Sequence, residues 1–185
     1  CTPGTRDLLK VMLPDAAHLQ EEEAHYANRK GYSKHKPALP LYTGEDAQAV
    51  IPLLKPRPYG KAFPVSEGLT ALFRQAGHIL GSATTELRLN GLVLVYSGDL
   101  GRWDQPILND PEMVPEADVL LIESTYGNRV HSKDPREGLT RIIREAAQRG
   151  GALLIPAFAV GRTQTLIWMI HDLEKAGKIP RLPAF

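Results

Sequence analysis

A chain of 185 residues with 43% hydrophobic and 23% charged residues has the composition of a globular protein, neither disordered nor membrane-like. Its formal net charge of +1 provides no global basic field, so any contact with nucleic acid has to be a local groove. One cysteine, Cys1, excludes a disulfide framework and a multi-cysteine zinc site, leaving His, Asp and Glu as the donors for any metal. No apolar run approaches the ~20 residues of a membrane span. The opening residues do not read as a signal peptide, so a cytoplasmic protein with no membrane partner is expected. The chain opens without Met on Cys1-Thr2-Pro3-Gly4-Thr5 and stops on Pro183-Ala184-Phe185, which reads as an approach to another strand. An internal segment of a longer protein is therefore expected.

Leu8, Leu9, Met12 and Leu13 share one helical face over residues 5–13, with Thr5 as N-cap and Pro14 as the break. A second, more polar helix is expected from Asp15 to about Lys30, closed by Gly31. Its Glu21-Glu22-Glu23 run reads as a solvated face. Residues 31–42 form a cationic loop in which Lys34, His35 and Lys36 suit phosphates, although a surface linker is the plainer reading. Thr43 and Asp46 make a capping box for a helix over about 44–54, ended by Pro56 and Pro58.

Strands follow from Leu69 to Gln75, Thr84 to Leu89 and Leu92 to Tyr96, the last two joined by Asn90-Gly91, a strong hairpin signal. Leu92 to Val95 is apolar throughout, which predicts burial on both faces. A further continuous apolar strand is expected from Asp118 to Ile122. After it the pattern predicts a helix over 135–149, a buried strand at Ala152 to Ile155 and a helix over 162–176 stopped by Gly177. Strand, helix, strand, helix implies parallel pairing.

Three polar residues recur in one context. His78, Asp99 and Glu123 each sit just beyond an apolar strand, in or beside a glycine-containing turn. Side chains at strand ends of layered α/β folds converge on one rim, where an imidazole and two carboxylates can bind a metal or move protons. Each also has a plain reading, as a hydrogen-bonded loop His, a turn Asp or a capping Glu. Two buried strands that both end in a carboxylate favour the functional one, because unpaired charge there is costly.

These residues carry a resemblance. Ala76-Gly77-His78-Ile79-Leu80-Gly81-Ser82-Ala83, Tyr96-Ser97-Gly98-Asp99-Leu100-Gly101-Arg102, Glu123-Ser124-Thr125-Tyr126-Gly127 and Ile155 through Gln164 resemble, in order, four motifs of the metallo-β-lactamase/β-CASP RNA-processing nucleases. That family includes ribonuclease J and the endonuclease of pre-mRNA end cleavage, and residues 13–24 look most like its bacterial and archaeal members. The resemblance implies an α/β fold: part of the αββα metallo-β-lactamase sandwich over residues 1–126, then the start of the β-CASP domain over 127–185.

It further implies a site with two Zn2+ ions. His78 would ligate one zinc and Asp99 would bridge both, while Glu123 would tune a proton-donating His rather than bind metal. A bridging hydroxide would attack the phosphorus of single-stranded RNA, endonucleolytically and also as a 5′-exonuclease. Arg162, at a helix start, would hold a phosphate, with helix capping as the equal alternative; His131 would be a substrate-side residue or a surface one. A homodimer is allowed.

The family's His-x-His-x-Asp-His cluster and later histidines are absent from these 185 residues. The segment alone is therefore expected neither to hold two zincs tightly nor to cleave RNA. The competing readings are a small-molecule ester hydrolase of the same fold, which would lack the Glu123 motif, and a non-catalytic scaffold subunit, which would lose its metal ligands.

Overall fold

The computed structural model describes residues 1–129 and 135–183. Helix α1 runs unbroken from Pro3 to Lys30 with Pro14 inside it, so the expected division into two helices does not occur. Proline forfeits one backbone hydrogen bond, but the helix is secured on both sides of it. Thr2, rather than Thr5, is the N-cap and accepts from the Thr5 amide, while Gly31 closes the other end at φ 70°. Ala17, Ala24 and Ala27 are buried, small residues that suit the close pairing of α1 with α2 (Gly44–Val50). The capping box between Thr43 and Asp46 forms, and Glu21, expected to be solvated, accepts from the Gly44 amide at 3.0 Å. The rest of the helix predicted over about 44–54 is a short 3-10 turn, Ile51–Leu53.

One sheet follows in the order β1 (Phe63–Ser66), β2 (Leu69–Gln75), β3 (Ala83–Leu89), β4 (Leu92–Tyr96), β5 (Val119–Leu121). β1 is the element the sequence reading missed; it pairs with β2 and sets Phe63 against Phe73, ring centres 5.2 Å apart. The Asn90-Gly91 turn has φ of 50° and 85°, as the tight hairpin requires. Val93 and Val95 of β4 are buried, each contributing about 1.5–3 kcal/mol, but Tyr96 is 55% exposed. β4 is thus buried on one face and not on both.

The same sheet face carries a buried carboxylate, Glu86, aligned with Leu72 and Val95. Burial raises its pKa, but hydrogen bonds from Arg74 (2.9 Å) and Arg88 (2.7 Å) outweigh that and hold it below the usual carboxylate range. Arg88 also reaches Glu116 at 3.0 Å, so the charge is compensated on both sides.

β5 is shorter than expected and is the sheet edge, with Val119, Leu120 and Leu121 at 41–56% exposure, so its predicted burial does not hold. No strand forms at 152–155, and Leu154 is 89% exposed. An apolar run becomes a strand only where a neighbour accepts its ladder; among the described residues β5 has one on its β4 side alone, and 152–155 has none. Two helices complete the description, α3 (Pro135–Arg149) and α4 (Arg162–Lys175). Ile143, Leu173 and Ile179 form their shared core with Leu139 and Ile170, and Arg136 bonds Asp172 at 2.8 Å. No helix among the described residues is long and apolar enough to cross a membrane.

Candidate metal centre

β2 and β4 are each antiparallel to β3, and β5 is parallel to β4. All three therefore run one way, and their C-terminal ends share one rim. The loops leaving those ends carry His78, Asp99 and Glu123, which is why sequence positions far apart meet. His78 Nε2 lies 3.8 Å from Asp99 Oδ2, and both side chains are substantially exposed, at 44% and 75%.

Glycines permit this approach. The Gly101 amide donates to the Ala76 carbonyl at 2.7 Å, and a Cβ on Gly101 would stand 1.7 Å from the Gly77 oxygen. Gly77 is also confined, though less tightly, since its Cβ would stand 2.8 Å from Pro111. The loops bearing the imidazole and the aspartate thus cross backbone to backbone, one residue from His78 and two from Asp99.

Hydroxyls complete the frame. Ser82 Oγ accepts from the His78 and Ile79 amides at 3.1 and 3.3 Å, closing the His78 loop on itself. Ser97 is buried, and its Oγ receives the Glu123 amide at 3.1 Å and donates to the Gly98 carbonyl at 2.7 Å. Glu123 in turn latches the Asp99 loop: Oε1 accepts from the Leu100 amide and Oε2 from the Thr125 hydroxyl, both at 2.7 Å. The Thr125 hydroxyl, then the Leu100 amide, hold its carboxyl below the usual range, with a smaller contribution from the His78 charge. Glu123 is therefore an ionised acceptor behind Asp99, with both oxygens engaged. Ser82, Ser97, Thr125, Gly77 and Gly101 escaped the sequence reading as site residues; their signal was the clustering of Gly and Ser directly after apolar strands.

An open cavity of about 290 Å³ lies along the rim, between His78, Ile79 and Asp99 on one side and Leu8, Leu9 and Met12 of α1 on the other. Imidazole nitrogen and carboxylate oxygen are donors that suit zinc. Bonds of about 2.1 Å in tetrahedral geometry set two donors about 3.4 Å apart, close to the 3.8 Å found. Among the described residues no group of three His, Cys, Asp or Glu gathers around one point, so His78 and Asp99 offer two donors and not a complete ligand set.

Arg162 is exposed at the first residue of α4. A Cβ on Gly161, just before it, would stand 2.8 Å from Ile79, which brings this helix start against the His78 loop. No side chain of the N-cap, Gly161, caps this helix; Gln164 accepts from the Gly161 amide at 2.7 Å, and Thr163 ties the turn by donating to the Phe158 carbonyl. That leaves the Arg162 side chain outside these hydrogen bonds. His131 lies outside the described residues.

The mixed α/β content and the five-stranded sheet, with an imidazole and two carboxylates at one rim, are consistent with an α/β fold of the metallo-β-lactamase type. No family model matches the chain. Curated relatives do, along all of it. It is 32% identical to a ribonuclease of Thermus thermophilus, covering 38% of that protein, and 34% identical to an RNase J-like protein of Methanocaldococcus jannaschii, covering 41%. It is 29% identical to a transcription termination factor of Methanosarcina mazei, covering 28%. The chain is homologous over its whole length to the β-CASP metallo-β-lactamase RNA nucleases, as its four motifs implied. It spans about two fifths or less of the length of these relatives.

Proposed function

We propose that the protein is a zinc-dependent phosphodiester hydrolase that cleaves single-stranded RNA in the cytoplasm, as an endonuclease with 5′-exonuclease action. The observation that carries this reading is the juxtaposition of His78 and Asp99, 3.8 Å apart on a rim latched by Glu123. Relatives named as a ribonuclease and an RNase J-like protein support RNA as the substrate. A division near residue 126 into a metallo-β-lactamase part and a β-CASP part belongs to the same reading.

Zinc, when bound, supplies positive charge against the phosphoryl oxygens and acidifies a water for attack. His78 would hold one ion through Nε2, and Asp99, an exposed carboxylate with two oxygens, would serve two. Glu123 acts from behind, fixing the Leu100 backbone so that Asp99 is presented at one position. Arg162 would meet a phosphate beside the His78 loop, where helix N–H groups add to its charge. The retained His78, Asp99 and Glu123 argue against a scaffold that has lost its ligands.

The test is cleavage of an unpaired RNA by the full-length protein. Activity is expected to vanish on zinc chelation and to return with stoichiometric zinc. Undiminished cleavage by protein stripped to well below one zinc per chain would overturn the proposal.

A further inference from the structure

The His78 loop is held by three hydroxyls from outside the three rim loops, of which that of Thr5 also borders the rim cavity. Thr2 and Thr5 at the start of α1 both place Oγ1 on the Gly81 carbonyl, at 2.8 and 3.0 Å, and lie 2.9 Å from each other. Tyr59 donates to the next carbonyl, that of Ser82, at 3.0 Å. Gly81 has φ of 86°, and a Cβ on it would stand 2.3 Å from the Thr5 amide nitrogen; a Cβ on Gly4 would stand 2.9 Å from Gly81 Cα. The helix start is therefore seated directly on the loop, glycine against glycine.

Hydrogen accounting shows why the pair matters. Thr2 Oγ1 is already the helix cap, accepting from the Thr5 amide at 3.1 Å. Two hydroxyl protons then serve three short O···O contacts, so either both reach the Gly81 oxygen or one is relayed through the other threonine. In both arrangements the carbonyl is fixed by α1. Thr2 is 2% exposed, so no water substitutes freely for a lost hydroxyl. The Ser82 whose carbonyl Tyr59 holds is also the residue whose Oγ grips the His78 and Ile79 amides.

We propose that Thr2, Thr5 and Tyr59 are positioning residues for the candidate metal centre, setting where the His78 imidazole stands relative to Asp99. The proposal rests on the zinc reading above. Groups that orient a ligand typically change metal affinity or activity by about 10- to 100-fold when removed. An ordinary helix cap would change only stability.

The experiment compares wild type, Thr2→Val/Thr5→Val, Tyr59→Phe and the hydroxyl-retaining Thr2→Ser/Thr5→Ser in the full-length protein. Three quantities are read: zinc affinity by competition with a chromophoric chelator, amide exchange at His78, Ile79 and Ser82 in zinc-free protein, and kcat against KM on an unpaired RNA. The valine pair is expected to weaken zinc binding about 10-fold or more, speed exchange in the loop, and lower kcat with KM little changed. The phenylalanine variant should move the same quantities less, and the serine pair should restore them. A valine pair with wild-type zinc affinity and loop exchange, even with a lowered melting temperature, would overturn the proposal. So would a serine pair as defective as the valine pair. A wild type that binds no zinc would sink the reading and the proposal together, and is told apart from a failed tether because exchange is measured without metal.

Discussion

Asp99→Ala in the full-length protein is expected to abolish RNA cleavage while leaving the fold intact. Asp99 is three-quarters exposed, and among the described residues its carboxylate has His78 as its one charged neighbour, at 3.8 Å. No buried partner is orphaned by its removal, so the melting temperature of the zinc-free protein should move by no more than about a degree or two. Chemistry should respond otherwise. A carboxylate shared by two cations cannot be replaced by a methyl group, and losing about 4 kcal/mol of transition-state stabilisation corresponds to roughly a thousand-fold in rate. Asp99→Asn, which keeps shape and loses charge, should lie close to the alanine variant. Both are checked by single-turnover cleavage beside a thermal melt. Cleavage within a few-fold of wild type would remove Asp99 from the mechanism.

Gly101→Ala should do the opposite and fail through the backbone. The added methyl would stand 1.7 Å from the Gly77 carbonyl oxygen, 2.0 Å from its carbon and 2.6 Å from the His78 nitrogen. All three are main-chain atoms of the loop that carries the imidazole, so no side chain can swing away. The loops must separate, breaking the Gly101 to Ala76 hydrogen bond. Overpacking of this kind costs about 3 kcal/mol or more, and activity should fall with it because His78 moves away from Asp99. Gly138→Ala is the control: nothing lies within 4 Å of its Cβ, and it sits inside α3. There alanine should stabilise by roughly 0.5–1 kcal/mol. Denaturant melts of the two variants should therefore shift in opposite directions, and equal shifts would show that the loop crossing is looser than described.

What the sequence made legible was whatever local rules decide. The Asn90-Gly91 hairpin, the Thr43/Asp46 capping box and the glycine stops at 31 and 177 appear where turn and cap chemistry puts them. The convergence of His78, Asp99 and Glu123 was legible for a similar reason, since each follows a strand and three strands run one way. Errors arose where tertiary context overrides the local rule. Pro14 reads as a break, yet α1 passes through it with both of its halves tied down, at Thr2 on the Gly81 loop and at Glu21 and Asn28, which bond the Gly44 amide and the Ala38 backbone. The apolar runs of 92–95, 118–122 and 152–155 read as buried, but burial depends on what lies opposite, which a run of valines and leucines does not encode. The hydroxyl frame of Ser82, Ser97 and Thr125 was invisible for a third reason. Serine and threonine are ordinary turn residues, and only the fold brings their oxygens to the right amides.

Whether one cation sits between the His78 and Asp99 side chains is read directly from anomalous diffraction at the zinc edge, on crystals of the full-length protein. A peak is expected at about 2.0–2.2 Å from both His78 Nε2 and an Asp99 oxygen. An anomalous map with its zinc peaks elsewhere, and the imidazole touching none of them, would contradict it.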